Sequence, residues 1–347
     1  MAFRKRNIAI GRTSEAPTPT PSVTNLQILG SRPSPVTSHL VTSTGTPSVD
    51  EILGGHTGLA LGSSLLIEES GTTDYSGALT KYFGAEGIVQ GHVLHVVGVG
   101  EGWVQMLPGL SEHNPQPPTT RTSEDRMKIA WRYEKLETTE RKPKPSFSHT
   151  FDLTKRITLP PSSKINHIPI SPTGNPFSSI LPSLEESLRT NPNTIHRLVI
   201  PSLLSPGTWP CQSSEPTNLL QFLHTLRQLL KRQPQRIVAM MTLPLELYPR
   251  SSGLVRWAEI LSDGVLELTP FPRPVVHART KDDELQGMIK VLKLPIITER
   301  GEGGAGPGNS IGDDLAFTVS RRRFVIKPFS LPPLEGEGEE GKKDLEF

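Results

Sequence analysis

Short continuous apolar runs recur through the first two-thirds of this chain, separated by stretches with apolar residues at helical spacing. The runs at 63–67, 91–97, 196–204, 236–243 and 263–268 are continuous rather than alternating. Such runs suit strands of a parallel sheet covered on both faces. Between them, 47–53 carries Val49, Ile52 and Leu53 on a short face, opened by Pro47-Ser48 and closed by Gly54-Gly55. The segments 75–88, ending at Gly87, 180–190 and 251–262 read as further helices. The clearest helix is 217–233, where Leu219, Leu220, Phe222, Leu223, Leu226, Leu229 and Leu230 form one stripe. That stripe reads as core first and as a subunit interface second. Gly98, Gly100 and Gly102 open a loop. The last third reads as antiparallel strands at 288–297 and 315–329, joined by a glycine-rich loop at 301–309. The expected class is therefore α/β: a twisted, mostly parallel sheet flanked by helices, with an antiparallel C-terminal edge.

Polar composition divides the chain. Residues 1–40 are rich in Pro, Ser and Thr and read as a disordered arm. A single α/β domain spans 41–330, with Pro-rich insert loops around 108–125, 138–147 and 158–176. Residues 126–136 fit a strand or a short helix. A charged flexible tail occupies 331–347.

Composition narrows the function classes. Lys and Arg number 37 and Asp and Glu 35, so the net charge is +2 and any basic surface must be local. Cys211 is the single cysteine of 347 residues, which excludes an internal disulfide framework and fits a reducing compartment. It follows Trp209-Pro210 with no histidine placed beside it by spacing, so it is not read as a nucleophile. No run of eighteen apolar residues suggests a membrane span. The basic start MAFRKRNIAIGRTSE lacks the apolar stretch of a secretory signal, and its acid-poor composition leaves a mitochondrial transit peptide open.

The stretch 63–83 carries the most chemistry. Leu65, Leu66 and Ile67 lead into a small-residue loop and then a helix, the setting of a phosphate-binding G-x-x-x-x-G-K-[ST] loop. On that spacing the slots hold Glu69, Asp74, Tyr75 and Ser76. Both glycines are carboxylates, the lysine is a tyrosine, and only the metal-facing hydroxyl is kept. Phosphate needs backbone N–H groups, a helix N-terminus and a cation, so this loop is expected to bind ATP poorly and not to hydrolyse it alone. The plainer reading is a strand, loop and helix with Asp74 as N-cap.

The string TGTPSVDEILGG, leading into that strand, resembles the RecA-like ATPase superfamily through Gly45, Asp50, Gly54 and Gly55. FRKRN near the start, the block from EES through DYSGALTKYFGAEG, IAWRYEKL, and SHTFDLTKRI at 148–157 narrow this. Together they resemble the fourth subunit of the Elongator complex, the PAXNEB family, over about 3–328. The resemblance implies a RecA-like fold without a working nucleotide site. It implies a heterohexameric ring with the fifth and sixth Elongator subunits, docking on the catalytic subcomplex and binding tRNA. The activity supported is modification of the wobble uridine at carbon 5, with this subunit noncatalytic, and residence is cytoplasmic and nuclear. No resident cofactor is implied, weak ATP binding at ring interfaces being left open. In the corresponding magnesium-site strand, Leu198-Val199-Ile200 runs into Pro201 and Ser202, with no carboxylate where one is used. An arginine reaching into a neighbour's site stays open, with no residue identified.

In RecA-like rings, loops after the central strands face the channel. Here these are 244–252 and 269–283, offering Arg250, Arg273, His277, Arg279 and Lys281 as tRNA-contact candidates. Asp282, Asp283 and Glu284 dilute that charge, so each is weighed against an ordinary solvated loop residue. Arg321 and Arg323 would share one face of a strand, and Arg4-Lys5-Arg6 forms a third basic cluster. His92 and His95, three apart in one strand, face opposite ways, and no metal-ligand cluster or nucleophile triad is spaced for. Two other readings compete: a stand-alone RecA-like ATPase, and a partner-binding scaffold without nucleic-acid contact.

Overall fold

The computed structural model describes residues 28–53, 58–111, 146–275, 285–296 and 315–329. The chain enters through β1 (Ser31–Pro33) and β2 (Leu40–Thr42), passes α1 (Pro47–Ile52) and pairs β3 (Leu59–Ala60) with β2. Next come β4 (Ser64–Glu69), α2 (Tyr75–Val89), β5 (Val93–Val97) and α3 (Glu101–Gln105). A two-stranded unit, β6 (Pro108–Leu110) and β7 (Phe151–Arg156), precedes β8 (Lys164–Ile168), α4 (Ile180–Thr190) and β9 (His196–Ile200). The chain continues through α5 (Pro216–Arg232), β10 (Ile237–Pro244), α6 (Leu254–Leu261) and β11 (Gly264–Val275). It closes on β12 (Leu285–Lys293), β13 (Leu315–Val319) and β14 (Phe324–Pro328).

Among the described residues the main sheet has nine strands in the order β14-β13-β12-β11-β4-β10-β9-β5-β8. The six from β11 to β8 run parallel, and β12, β13 and β14 add antiparallel at one edge. This is the α/β class expected, a mostly parallel sheet flanked by helices with an antiparallel C-terminal edge. The continuous apolar runs have their expected cause, since β4, β5 and β9 are buried at every position. Leu65, Ile67, Leu94 and Val199 pack against Phe83 and its neighbours on α2. Leu66, Leu198 and Ile200 pack on the opposite face with Leu226 and Leu230 of α5 and Val255 of α6. Each such side chain contributes about 1.5–3 kcal/mol on burial. The leucine stripe of α5 is thus core, except that Leu220 is only half-buried.

Several expectations are corrected. Order begins within the supposed arm: Ser31, Arg32 and Pro33 pair with Thr42, Val41 and Leu40 around a turn closed by the Ser34 N–H on His39 O at 2.7 Å. The insert at 158–176 contains β8, because Lys164 to Ile168 is a proline-free run and takes an edge position beside β5. Likewise β6 lies at the start of the 108–125 insert, and the glycine-spaced loop after Gly98 contains α3. The single strand expected at 315–329 is a hairpin. Its turn is held by the Ser320 hydroxyl, which accepts from the N–H of Arg322 and of Arg323 at 3.2 and 3.1 Å. Arg321 and Arg323 therefore sit in a turn and share no strand face. Finally, α2 runs past Gly87, where a Cβ would come within 2.6 Å of the Arg197 side chain, so that glycine gives passage rather than a stop. IAWRYEKL, the 138–145 part of its insert, the loop at 301–309 and the tail lie outside the described residues.

Candidate functional site

The degenerate loop leaves the carboxyl end of β4, the central strand, where open α/β sheets place their ligands. Strand β4 continues two residues past Ile67 and ends on Glu68 and Glu69, whose side chains leave opposite faces. Glu69 turns toward the start of α2. Its Oε1 accepts from the Tyr75 N–H at 2.9 Å and the Thr73 hydroxyl at 2.7 Å. Its Oε2 accepts from the Ser76 N–H at 2.9 Å and the Ser76 hydroxyl at 2.6 Å. The first N–H groups of a helix lack internal partners and carry its positive end. They are what a phosphate-binding loop offers its ligand. Here the chain fills that position with its own buried carboxylate.

The rest of the loop is committed in the same way. The Gly71 N–H donates to Glu246 Oε1 at 2.9 Å and the Ser70 N–H to Leu268 O at 3.0 Å. Tyr75, in the lysine slot, stacks edge-on against Phe317 of β13 with ring centroids 5.2 Å apart. Ser76 keeps the motif's hydroxyl but gives it to Glu69. Asp74 stands at the N-cap position without making a cap hydrogen bond, so Glu69 does the capping expected of it. A terminal phosphate within about 4 Å of Glu69 would be repelled by about 4 kcal/mol per unit charge at an effective dielectric constant near 20.

The second half of the site is also altered. Strand β9 ends at Ile200, and Pro201 and Ser202 turn away in a tight loop with Ser202 at φ +48°. Thr242 of β10 holds that loop: its hydroxyl accepts from the Ser202 N–H and its carbonyl from the Leu203 N–H, each at 2.7 Å. The two positions bring a proline and a backbone donor, and no acidic side chain.

On the other face Glu68 meets Arg250. The guanidinium donates to Glu259 Oε1 at 2.7 Å, Glu267 Oε2 at 2.9 Å and Glu68 Oε2 at 2.5 Å. Glu68 Oε1 is buried with no hydrogen-bond partner among the described residues. Burial pushes the Glu68 carboxyl up to about 7 against the pull of Arg250. Arg250, a tRNA-contact candidate, is thus the cation of a three-carboxylate cluster. Arg273 falls within β11, which extends into the loop expected at 269–283. His277, Arg279, Lys281 and Arg4-Lys5-Arg6 lie outside the described residues. Among the described residues no group of three or more His, Cys, Asp or Glu could hold a metal ion. No described helix is long and apolar enough to cross a membrane.

A second buried polar cluster went unread in the sequence. Asp50 accepts from the Ser43 hydroxyl at 2.6 Å and from the Thr44 N–H and hydroxyl at 2.8 and 2.7 Å. Glu86 of α2 contacts the Gln90 amide at 2.8 Å and His149 Nδ1 at 3.1 Å, raising the His149 pKa. The Ser43 and Ser148 hydroxyls lie 3.0 Å apart, with Ser43 free only to accept. Fully buried Arg197 donates to His92 Nδ1, Phe83 O and Thr42 Oγ1 at 2.9, 3.0 and 2.8 Å. Burial lowers its pKa to about 10, which leaves it charged at neutral pH. Residues from TGTPSVDEILGG, the α2 block and SHTFDLTKRI therefore meet in one place. The sequence signal was their joint occurrence, not any one spacing.

Comparison with known proteins agrees with those blocks. The PAXNEB protein family model matches residues 24–346. Elongator complex protein 4 of Schizosaccharomyces pombe is 34% identical over 327 residues, covering 87% of this chain and 88% of its own. The Homo sapiens protein of that name is 32% identical over 370 residues, covering 91% and 84%. That of Saccharomyces cerevisiae is 30% identical over 365 residues, covering 89% and 77%. The crystal structure of a KaiC-like protein from Pyrococcus horikoshii OT3 aligns at 15% identity over 83% of this chain and 99% of its own, with a TM-score of 0.42.

Proposed function

The chain belongs to the PAXNEB family, and from that premise we propose that it is a noncatalytic accessory subunit of the Elongator complex. It assembles with the fifth and sixth Elongator subunits into a heterohexameric ring. That ring binds tRNA and supports modification of the wobble uridine at carbon 5 by the catalytic subcomplex. The protein works in the cytoplasm and nucleus, and any ATPase activity belongs to the assembled ring.

The observation that carries the noncatalytic part is the Glu69 carboxylate on the Tyr75 and Ser76 N–H groups. A nucleotide would have to displace a buried, four-times hydrogen-bonded anion and would find a tyrosine where the lysine is needed. This weighs against a stand-alone ATPase. The test is mass spectrometry of tRNA from cells lacking the chain. The 5-carboxymethyl-type modifications of wobble uridines are expected to disappear and to return with wild type and with Ser76→Ala alike. Intact modifications in those cells would remove the Elongator reading. Rescue by wild type but not by a stably folded Ser76→Ala protein would remove the dead phosphate site.

A further inference from the structure

The charges of this nearly neutral chain are segregated across the sheet. At the carboxyl ends of the parallel strands stand Glu68, Glu69, Glu246, Glu259 and Glu267, with Arg250 consumed among them. The amino ends carry the opposite sign. Helix α5 ends there at Arg232, ahead of β10, and its solvent face carries His224, Arg227, Lys231 and Arg232. With Gln228 these line one shallow concavity of about 420 Å³. Lys293 comes to the same edge, because it pairs in register with Val265 near the start of β11. Among the described residues Asp263 is the one acidic side chain paired into this group, 3.1 Å from Lys231 and 4.0 Å from Arg227. Arg232 makes no ion pair among the described residues.

The helix macrodipole accounts for Lys231 and Arg232 in the last turn. It does not account for Arg227, and Lys293 is held by the end of α6 instead. Lys293 donates to the carbonyls of Ile260 and Ser262 at 3.1 and 2.5 Å and lies close enough to Arg227 and Lys231 to be repelled by both. Asp263 offsets Lys231, Arg227 and Lys293 only in part, since one carboxylate faces three cations, and Arg232 adds a fourth.

We propose that this amino-edge face of α5 and Lys293 binds the phosphate backbone of RNA, a reading that rests on the tRNA-binding role above. The concavity is lined by Arg227, Lys231, Arg232, an imidazole and an amide, without an apolar anchor. A protein interface would place aromatic and aliphatic side chains at its centre and would be poor in lysine. A phosphate backbone needs flexible cations and no shape-matched core. The exposed apolar residues of this region, Trp257 and Ile260 of α6 and Leu292 beside Lys293, do not line the concavity.

The test is salt-dependent binding of labelled tRNA to the full chain assembled with its partner subunits. Wild type is compared with Arg227→Gln/Lys231→Gln/Arg232→Gln and with Arg273→Gln/Arg279→Gln/Lys281→Gln. The first triple variant is expected to bind about tenfold more weakly and to lower the log-log salt slope by about 2–3. Should it fail to fold, as read by its melting temperature, Arg232→Gln alone is expected to weaken binding about two- to threefold. Wild-type affinity in both α5 variants overturns the inference while leaving tRNA binding in place, with the loss then expected in the second triple variant. A folded α5 variant that no longer joins its partners overturns it in favour of a protein interface. Absence of tRNA binding by the wild-type assembly overturns both the inference and the reading beneath it.

Discussion

Glu69 does two jobs that the sequence shows as one loss. In the first glycine slot it removes the turn a phosphate loop uses, and by reaching the start of α2 it replaces the absent anion. Its two oxygens take two backbone N–H groups and two hydroxyls. Truncating it leaves those donors without their acceptor at a buried helix end. Glu69→Ala is expected to destabilise the chain by about 2–4 kcal/mol, the sum of a lost helix cap and charged hydrogen bonds. Urea denaturation gives the value, and a loss under 1 kcal/mol would show the carboxylate to be an idle occupant. The same variant is expected not to gain ATP binding in calorimetric titration, because Tyr75 remains against Phe317. The four slots Glu69, Asp74, Tyr75 and Ser76 were legible from spacing alone. That Glu69, not Asp74, caps the helix was not legible, since the choice depends on which carboxylate the strand end aims at the N–H groups.

At the scale of elements, Arg250 is a clasp. It lies in the short turn before α6 and binds β4 through Glu68, β11 through Glu267 and α6 through Glu259. Removing the cation would leave Glu68 buried and uncompensated, which costs several kcal/mol for a buried pair. Since the Arg250 side chain is 36% exposed, solvent screening brings the expected loss for Arg250→Ala to about 2–3 kcal/mol. Adding Glu68→Gln is expected to recover part of it, and strictly additive losses in the double-mutant cycle would dissolve the clasp. Both this arginine and the basic face of α5 explain where sequence reading ran out. Helix α5 is legible through its leucines, whereas the cations on its other side carry no periodic signal that separates a binding face from a solvated one. Arg250 reads in the sequence only as a tRNA-contact candidate on a loop after a central strand, because its three carboxylate partners are far apart in the chain. Strand β8 and the hairpin at 315–329 were missed because flanking prolines and a single apolar-rich run look alike with or without a turn.

For the molecule as a whole, buried titratable groups of opposite kinds set the pH range of stability. His92 and His95 are depressed to about 3 and His196 to about 4, each first by burial. His95 Nε2 and His196 Nδ1 lie 3.0 Å apart within the sheet. A depressed histidine folds neutral, so its contribution is full above the unfolded value near 6.5 and is lost as pH falls toward 4 and below. Glu68 and Asp50, raised by burial to about 7 and about 6, have the opposite sign. Their contribution is full below the ordinary carboxylate range and is lost as pH rises through 6 to 7. Between about 4.5 and 6.5 the two sets oppose each other, and stability changes little. Below that window Glu68 and Asp50 are protonated in both states while the histidines still titrate, so the fall should steepen there. His196→Asn is expected to remove on the order of 3 kcal/mol of the loss between pH 6.5 and 4. Glu68→Gln removes part of the opposing set, so stability should rise with pH between about 5 and 6.5 where wild type is flat, and the acid limb should be unchanged. Urea midpoints of the full chain from pH 4 to 8 decide it: an acid limb that runs parallel in wild type and His196→Asn would exclude the histidine pair as its cause. The histidines tie β5 to β9 and to the entering segment, and Glu68 ties β4 to β11 and α6 through Arg250, so this titration reads the centre of the fold rather than its surface.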